Sequence, residues 1–132
     1  MVAVRHFAEL ENNIVVAVVA VAENDCLDSD GNFQEVIGEN ICRRLRQSSL
    51  KWIECSTDGS FRKNAATLGM VYDEIKNGFY NPNKPFPSWV LDETLNWTSP
   101  VLKPENVEGF YFDWDESSLS WVKIAETPTT NP

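Results

Sequence analysis

The sequence predicts an α+β fold in which N-terminal antiparallel strands pack with one amphipathic helix and are followed by a Trp-rich array of β-hairpins. Three observations favour it: a run of β-branched residues near the N-terminus, a helical repeat of apolar residues after it, and a hairpin-like motif that recurs in the second half. The 132 residues suffice for one domain or two small modules. We expect a β-hairpin, helix and strand module over 1–60. An aromatic hairpin-repeat module with Pro-rich spacers and a polar C-terminal tail is expected over 61–132.

Two strands joined by a tight turn are predicted at the N-terminus. Residues 2–10 form the first strand, and the Glu-Asn-Asn at 11–13 supplies turn residues that tolerate left-handed backbone. The second strand is the nine-residue apolar run Ile14–Ala22, in which six residues are Ile or Val. Such a run favours a central strand covered on both faces. It is far shorter than the roughly 20 residues that a helix needs to cross a bilayer, so no membrane partner is expected.

One amphipathic helix is predicted after a polar loop. Arginines near its end suit the negative pole of the helix dipole. A strand over 50–56 and a turn over 57–60 follow the helix. The expected buried stripe recurs every four residues and comprises Phe33, Ile37, Ile41 and Leu45.

The loop before the helix contains a weak candidate for a calcium site. Four residues occupy the first, third, fifth and twelfth positions of an EF-hand-like pattern: Asp28, Asp30, Asn32 and Glu39. The sixth position, which needs glycine for a sharp turn, is Phe33, and no entering helix is predicted. The favoured interpretation is therefore an Asx-rich turn that caps the helix at Asp30 or Asn32, with no metal and no cofactor.

Net charge and the reactive side chains disfavour several function classes. A formal charge of −9, from 20 acidic and 11 basic residues, opposes the neutralisation of nucleic-acid phosphates. Cys26, Cys42 and Cys55 form no CxxC pair, so we expect buried, reduced thiols rather than a zinc site or a disulfide scaffold. His6 is the only histidine, and no spacing motif pairs it with a nucleophile. The sequence therefore predicts a protein that is not an enzyme.

The second half repeats one short motif, which consists of an apolar residue, Asp-Glu, a polar turn and an aromatic residue. Each copy is typical of a strand, an Asp-led turn and a second strand, and single hairpins of this size must pack on each other or on the N-terminal sheet to be stable. Adjacent carboxylates on a strand point to opposite faces, so turn chemistry explains the Asp-Glu pairs better than the acid and base of a hydrolase. The three copies run from Tyr72-Asp73-Glu74 to Tyr80, from Leu91-Asp92-Glu93 to Trp97, and from Trp114-Asp115-Glu116 to Trp121.

Aromatic side chains are the candidate contact residues of this half. In hairpins this short, cross-strand tryptophans are expected to form the core, whereas aromatics beside carboxylates also suit the stacking of sugars. Both interpretations stay open at this point. The candidates for contact with a partner or a glycan are Phe86, Trp89, Trp97, Trp114 and Trp121.

Five segments spread over roughly residues 5–124 carry a family resemblance. They are the opening HFAEL, the CLDSDGN loop, FRKNAA followed by YDE, PFPSWVLDE with a following Trp, and the closing WDESSLSWV. Together they resemble a family of small, poorly characterised proteins of tailed bacteriophages, notably marine cyanophages, which are mostly described as hypothetical or virion structural proteins. The chain departs from that pattern at Ala65 and Ala66, where an aromatic residue is usual in the family.

The resemblance implies a non-enzymatic virion structural protein, either a head decoration or a neck-associated accessory protein. It would be made in the host cytoplasm and reside in the virion, with other capsid, neck or tail proteins as partners and a homo-oligomer as a further possibility. The alternative is a tail or fibre component that recognises host-surface glycans through exposed tryptophans. A small hydrolase that uses one Asp-Glu pair is the third interpretation.

Overall fold

The structure is a computed structural model in which residues 3–127 are described. The chain divides into two compact units: the first extends to Pro82 and includes Glu93–Leu95, and the second comprises Asn83–Asp92 and the residues from Asn96 onward. The combination of a helix with antiparallel sheets confirms the predicted α+β class. The predicted boundary after residue 60 falls inside the first unit. Residue 2 of the predicted first strand and residues 128–132 of the predicted tail lie outside the described residues.

The N-terminal hairpin forms as predicted. Strand β1 spans Val4–Glu11 and strand β2 spans Ile14–Ala22. Between them Asn12 and Asn13 both have a positive φ, 52° and 64°. Two consecutive left-handed residues match the right-handed twist of the flanking strands, and asparagine tolerates this backbone better than most residues.

The helix and the next strand follow in the predicted order. A short 3₁₀ turn over Glu23–Cys26 precedes helix α1, Glu35–Arg46, and strand β3 spans Lys51–Cys55. Gln47 has a left-handed backbone, φ 49°, and its N–H bonds back to carbonyls of the last turn, which ends the helix. The three arginines lie in that last turn, as the dipole argument predicts.

The first repeated hairpin joins the N-terminal sheet. Strands β4, Val71–Asp73, and β5, Gly78–Tyr80, complete a five-stranded antiparallel sheet with the order β3-β1-β2-β4-β5. Strand β4 pairs with β2 at Ile14↔Val71. The first hairpin of the repeat module therefore packs on the N-terminal sheet, one of the two arrangements that the sequence left open.

Two apolar clusters form the core of the first unit. Neighbouring residues of one strand, such as Phe7 and Ala8 or Trp52 and Ile53, belong to different clusters, because successive side chains point to opposite faces of a sheet. One cluster contains Phe7, Val21, Cys26, Cys42 and Trp52. The other contains Ala8, Leu10, Val15, Ile53, Cys55, Tyr72 and Phe79.

The prediction that Ile14–Ala22 is covered on both faces is wrong. Along β2 burial alternates, and Ile14, Val16 and Val18 stay exposed. Instead, β1 and β3 each contain four consecutive buried residues, so these two strands are covered on both faces. A uniformly apolar run specifies a strand, but which strand receives cover on its second face depends on where distant segments of the chain pack.

The predicted helical stripe is wrong at both ends. Phe33 precedes α1 and forms an isolated bridge with Leu27, and Leu45 is 67% exposed. The buried helix residues are Gly38 and Cys42. Gly38 packs directly on the ring of Phe7.

The second unit contains the other two hairpins of the repeat. Strands β6, Val90–Leu91, and β7, Trp97–Thr98, form one two-stranded sheet. Strands β8, Phe110–Asp115, and β9, Ser120–Ala125, form another. All three copies of the motif are therefore hairpins, as the sequence predicts.

Candidate functional site

Four of the five predicted contact residues form one aromatic cluster in the second unit. Trp114 and Trp121 are cross-strand partners in β8 and β9, with ring centroids 5.3 Å apart. Trp89 lies 6.0 Å from each of them, and Phe86 lies 5.4 Å from Trp89. The fifth candidate, Trp97, is half-buried in β7 as the cross-strand partner of Leu91.

Hydrogen bonds hold this aromatic cluster in place. The Glu116 carboxylate accepts bonds from the Ser88 N–H at 3.0 Å, the Ser88 hydroxyl at 2.7 Å and the Trp114 indole at 2.9 Å. These bonds lower the pKa of Glu116, because they stabilise its charged form. The Trp121 indole donates to the Val101 carbonyl at 2.9 Å.

The packing of the rings favours a core role for the tryptophans. Trp114 is buried and Trp89 and Trp121 are half-buried, because the rings cover one another in edge and tilted contacts. A sugar platform needs an aromatic face that is open to solvent. Aromatic pairs of this kind add about 0.5–1.5 kcal/mol each beyond the area that they bury, so the cluster suits a unit with few strands.

A groove beside β8 was not predicted from the sequence. It has a volume of about 590 Å³. Phe110, Tyr111 and Phe112 line it, together with polar side chains that include Asn106 and Glu126. The sequence feature that indicates this groove is the alternation of aromatic residues at 110, 112 and 114, which places three rings on one face of a strand.

A second groove, in the first unit, brings the histidine next to a cysteine. His6 and Cys55 are cross-strand partners of β1 and β3, and both line this groove of about 360 Å³. Burial raises the pKa of the Cys55 thiol to about 11, so the sulfur stays protonated and poorly nucleophilic near neutral pH. All three cysteines are free and buried, as predicted.

The calcium candidates do not converge on a site. Asp28 uses its carboxylate in its own turn, accepting the N–H groups of Asp30 at 2.9 Å and Asn32 at 3.0 Å and the Gln34 side chain. Glu39 lies in α1, and within residues 3–127 no group of three or more His, Cys, Asp or Glu side chains could hold a metal. Capping by Asp30 or Asn32 is also wrong, because the residue before the helix is Gln34, which makes no side-chain cap bond.

Two carboxylates of α1 in the first unit, Glu35 and Glu39, lie near Arg62, which belongs to the loop after β3. Arg62 donates to Glu35 at 2.5 Å and to the Glu54 carbonyl at 2.7 Å, which ties the loop after β3 to the helix. Burial raises the pKa of Glu39 to about 7, and the adjacent Glu35 adds to the rise. Burial alone would also raise the pKa of Glu35, but its hydrogen bonds and the charge of Arg62 together outweigh burial, and the net shift is downward. The charged form of Glu39 is therefore disfavoured near neutral pH, whereas that of Glu35 is favoured.

Comparison with protein-family models, curated proteins and solved structures finds no match for this chain. Across residues 3–127, no helix is both long enough and apolar enough to span a membrane. Function is therefore inferred from the residues of the chain itself.

Proposed function

We propose that the protein is a non-enzymatic structural protein of a phage particle, held on the head or neck as an accessory that binds the particle lattice. The resemblance to tailed-phage proteins supports the virion setting. The use of the repeated carboxylates supports a non-enzymatic role. Asp73 accepts N–H bonds from Ile75 and Lys76, and Asp115 accepts the hydroxyls of Ser117 and Ser118, so these aspartates close turns.

Exposed apolar side chains of the second unit carry the proposal. Exposed apolar side chains that lie together on one face mark surfaces that bind other proteins, and Tyr111 and Val122 share one face of the β8–β9 hairpin. On a symmetric lattice, many weak copies of one contact give firm attachment. The exposed large apolar residues described in this unit are Val90, Val101, Leu102, Val107, Phe110, Tyr111, Leu119 and Val122.

The first test is quantitative mass spectrometry of purified particles of the phage that carries this gene. The copy number of the protein is expressed relative to the major capsid protein. Hundreds of copies support head decoration, and tens support the neck. Absence from washed particles would contradict the proposal.

A pair of variants tests whether the second unit makes the attachment. Tyr111 and Val122 lie on one face of the β8–β9 hairpin, so Tyr111→Ser with Val122→Ser removes apolar surface without touching the aromatic cluster. We expect the copy number per particle to fall at least about tenfold. The control is Val36→Ser, an exposed apolar residue of α1 in the first unit, which should leave the copy number unchanged.

A second candidate function, a tail or fibre component that binds host-surface glycans, is favoured by the groove beside β8. Of the exposed aromatic side chains that line it, Phe110 and Tyr111, the more exposed is Tyr111, and the polar Asn106 and Glu126 line the same groove. Binding to a glycan array that is lost in Tyr111→Ala and kept in Trp97→Ala would support this candidate at the groove. Loss of binding in folded Trp97→Ala or Trp121→Ala would instead support the tryptophans.

A further inference from the structure

Strand β2 has an open edge along most of its length. One side of β2 pairs with β1 along its length, except at Val16, which forms a β-bulge between the pairs Leu10↔Val15 and Glu9↔Ala17. On its other side the ladder consists of the Ile14↔Val71 pair, the Val15 N–H bond to Met70 at 2.8 Å and the Gly69 N–H bond to Val15 at 2.9 Å. Within the described part of the chain, no strand pairs with this side from Val16 to Ala22.

The chain leaves β2 because of the segment that precedes β4. Gly69 has a φ of +88°, a left-handed backbone that turns the chain sharply next to Val15. Upstream of this turn, Ala66 packs against the apolar cluster around Phe79 and so draws the segment away from β2. The edge of β2 is therefore open because the segment before β4 packs against the apolar cluster on one face of β1 and β3 and does not continue along β2.

This edge has only one of the usual features that protect against pairing, a β-bulge at Val16 near one end of the open segment. Natural edge strands carry lysine, proline or inward-pointing charges, which discourage the addition of another strand. The segment Ile14–Ala22 contains only Ile, Val and Ala. Its outward side chains are also accessible, with Ile14 at 44%, Val16 at 38% and Val18 at 37% exposure. Open backbone groups and apolar side chains therefore coincide on one strand.

We propose that a second copy of this chain adds to the β2 edge, so that two sheets continue through an antiparallel β2–β2 pair. Antiparallel strands of identical chains are related by a two-fold axis normal to the sheet, which places one residue opposite itself. With Val19 at that centre, the residues from Ala17 to Val21 pair regularly, and Val16 meets Ala22 at the bulge. Every alanine then faces a valine: Val16 faces Ala22, Ala17 faces Val21 and Val18 faces Ala20. In each of these pairs, a large valine side chain packs beside a small alanine side chain.

Charge does not oppose a second copy even though the chain is acidic. The paired segment carries no charged residue, so no carboxylates face each other across it. At its end Glu23 is already held by Arg5, with a nitrogen to oxygen distance of 2.9 Å. Repulsion between two chains of charge −9 therefore acts at longer range, where salt screens it. This inference needs no phage component and stands apart from the proposed function.

Sedimentation equilibrium across a concentration series tests the pairing. The wild-type chain should dimerise, and Val18→Lys, which puts two like charges into the pair, should raise the dissociation constant by on the order of 100-fold or more. The control Val36→Lys changes an exposed valine of α1 and should leave the dimer intact. Circular dichroism checks that both variants fold. A wild-type chain that stays monomeric up to about millimolar concentration, or a Val18→Lys dimer as tight as wild type, overturns the proposal.

Disulfide trapping tests the register independently. Two cysteines directly opposite each other on antiparallel strands lie within disulfide reach, and the native thiols are buried. On mild oxidation Val19→Cys should give a covalent dimer, whereas Val16→Cys, which faces Ala22, should not. A covalent dimer from Val16→Cys and none from Val19→Cys overturns the register. If a strand of a capsid protein occupies the edge instead, no dimer of the free chain forms and the proposal fails.

Discussion

Replacing Gly38 by alanine should destabilise the first unit, although the same exchange strengthens most helix interiors. Gly38 lies within α1 and packs against Phe7, whose exposure is 0%. A β-carbon at Gly38 would lie 2.7 Å and 2.8 Å from Cε2 and Cε1 of Phe7, and closer still to Cζ. Carbon atoms pack best at about 3.5–4.0 Å, so the ring or the helix must move.

Two opposing contributions set the size of the effect. Alanine favours a helix interior by about 1 kcal/mol over glycine. Overpacking a core costs about 1–3 kcal/mol, and the enclosed ring of Phe7 places this case at the upper end. The free energy of unfolding should therefore fall by about 2 kcal/mol. In a Phe7→Leu background the ring is gone, and Gly38→Ala should then stabilise by up to about 1 kcal/mol.

Urea unfolding of the four chains of this double-mutant cycle measures the coupling, which should be about 3 kcal/mol. Far-UV circular dichroism follows the helix, and equal denaturant slopes would show that the unfolded states are comparable. Val36→Ala, at an exposed position of the same helix, controls for propensity alone and should change stability by well under about 1 kcal/mol. The reasoning is refuted if Gly38→Ala raises the stability of the wild-type chain, or if the cycle shows no coupling.

Three further predictions concern titration and reactivity. Because burial raises the pKa of Glu39 to about 7, its protonated form stabilises the fold below about pH 4.5, and this contribution is lost as the pH rises through 7. In Glu39→Gln the melting temperature should lose that dependence, and an unchanged profile would contradict the assignment. The pKa of Glu116 is lowered by its indole and serine bonds, so the second unit should lose stability as the pH falls below about 4.5, and Glu116→Gln should abolish this loss in tryptophan fluorescence. Burial raises the pKa of Cys42 and of Cys55 to about 11, so both should react with Ellman's reagent at pH 8 only after urea is added; rapid labelling of the native chain would show that they are accessible.

Local chemistry made most of the fold predictable from the sequence. Asn12 and Asn13 specify a left-handed two-residue turn, and the Asp residues of the repeated motif close their turns with their own carboxylates. The alternation of β-branched residues and the helical period then define the strands and the helix. These features involve neighbours along the chain, which a sequence displays directly.

Tertiary packing decided what could not be predicted. The open edge of β2 beyond Val15 follows from the departure of the chain at Gly69, which no local pattern indicates. The same limit applies to the candidate site. The sequence identifies Trp89, Trp114 and Trp121 as aromatic candidates, but only their mutual distances favour a core role.

The attachment of the β4–β5 hairpin has a consequence for behaviour in the cold. Its ladder to β2 consists of one residue pair and a few neighbouring backbone bonds, whereas Tyr72 and Phe79 lie within an apolar cluster. Hydrophobic attraction weakens on cooling, whereas a hydrogen-bonded ladder is less affected. The hairpin should therefore loosen near 0 °C before β1 and β3 separate, and its amide protons should lose their protection against exchange with solvent at a temperature where those of β1 keep theirs.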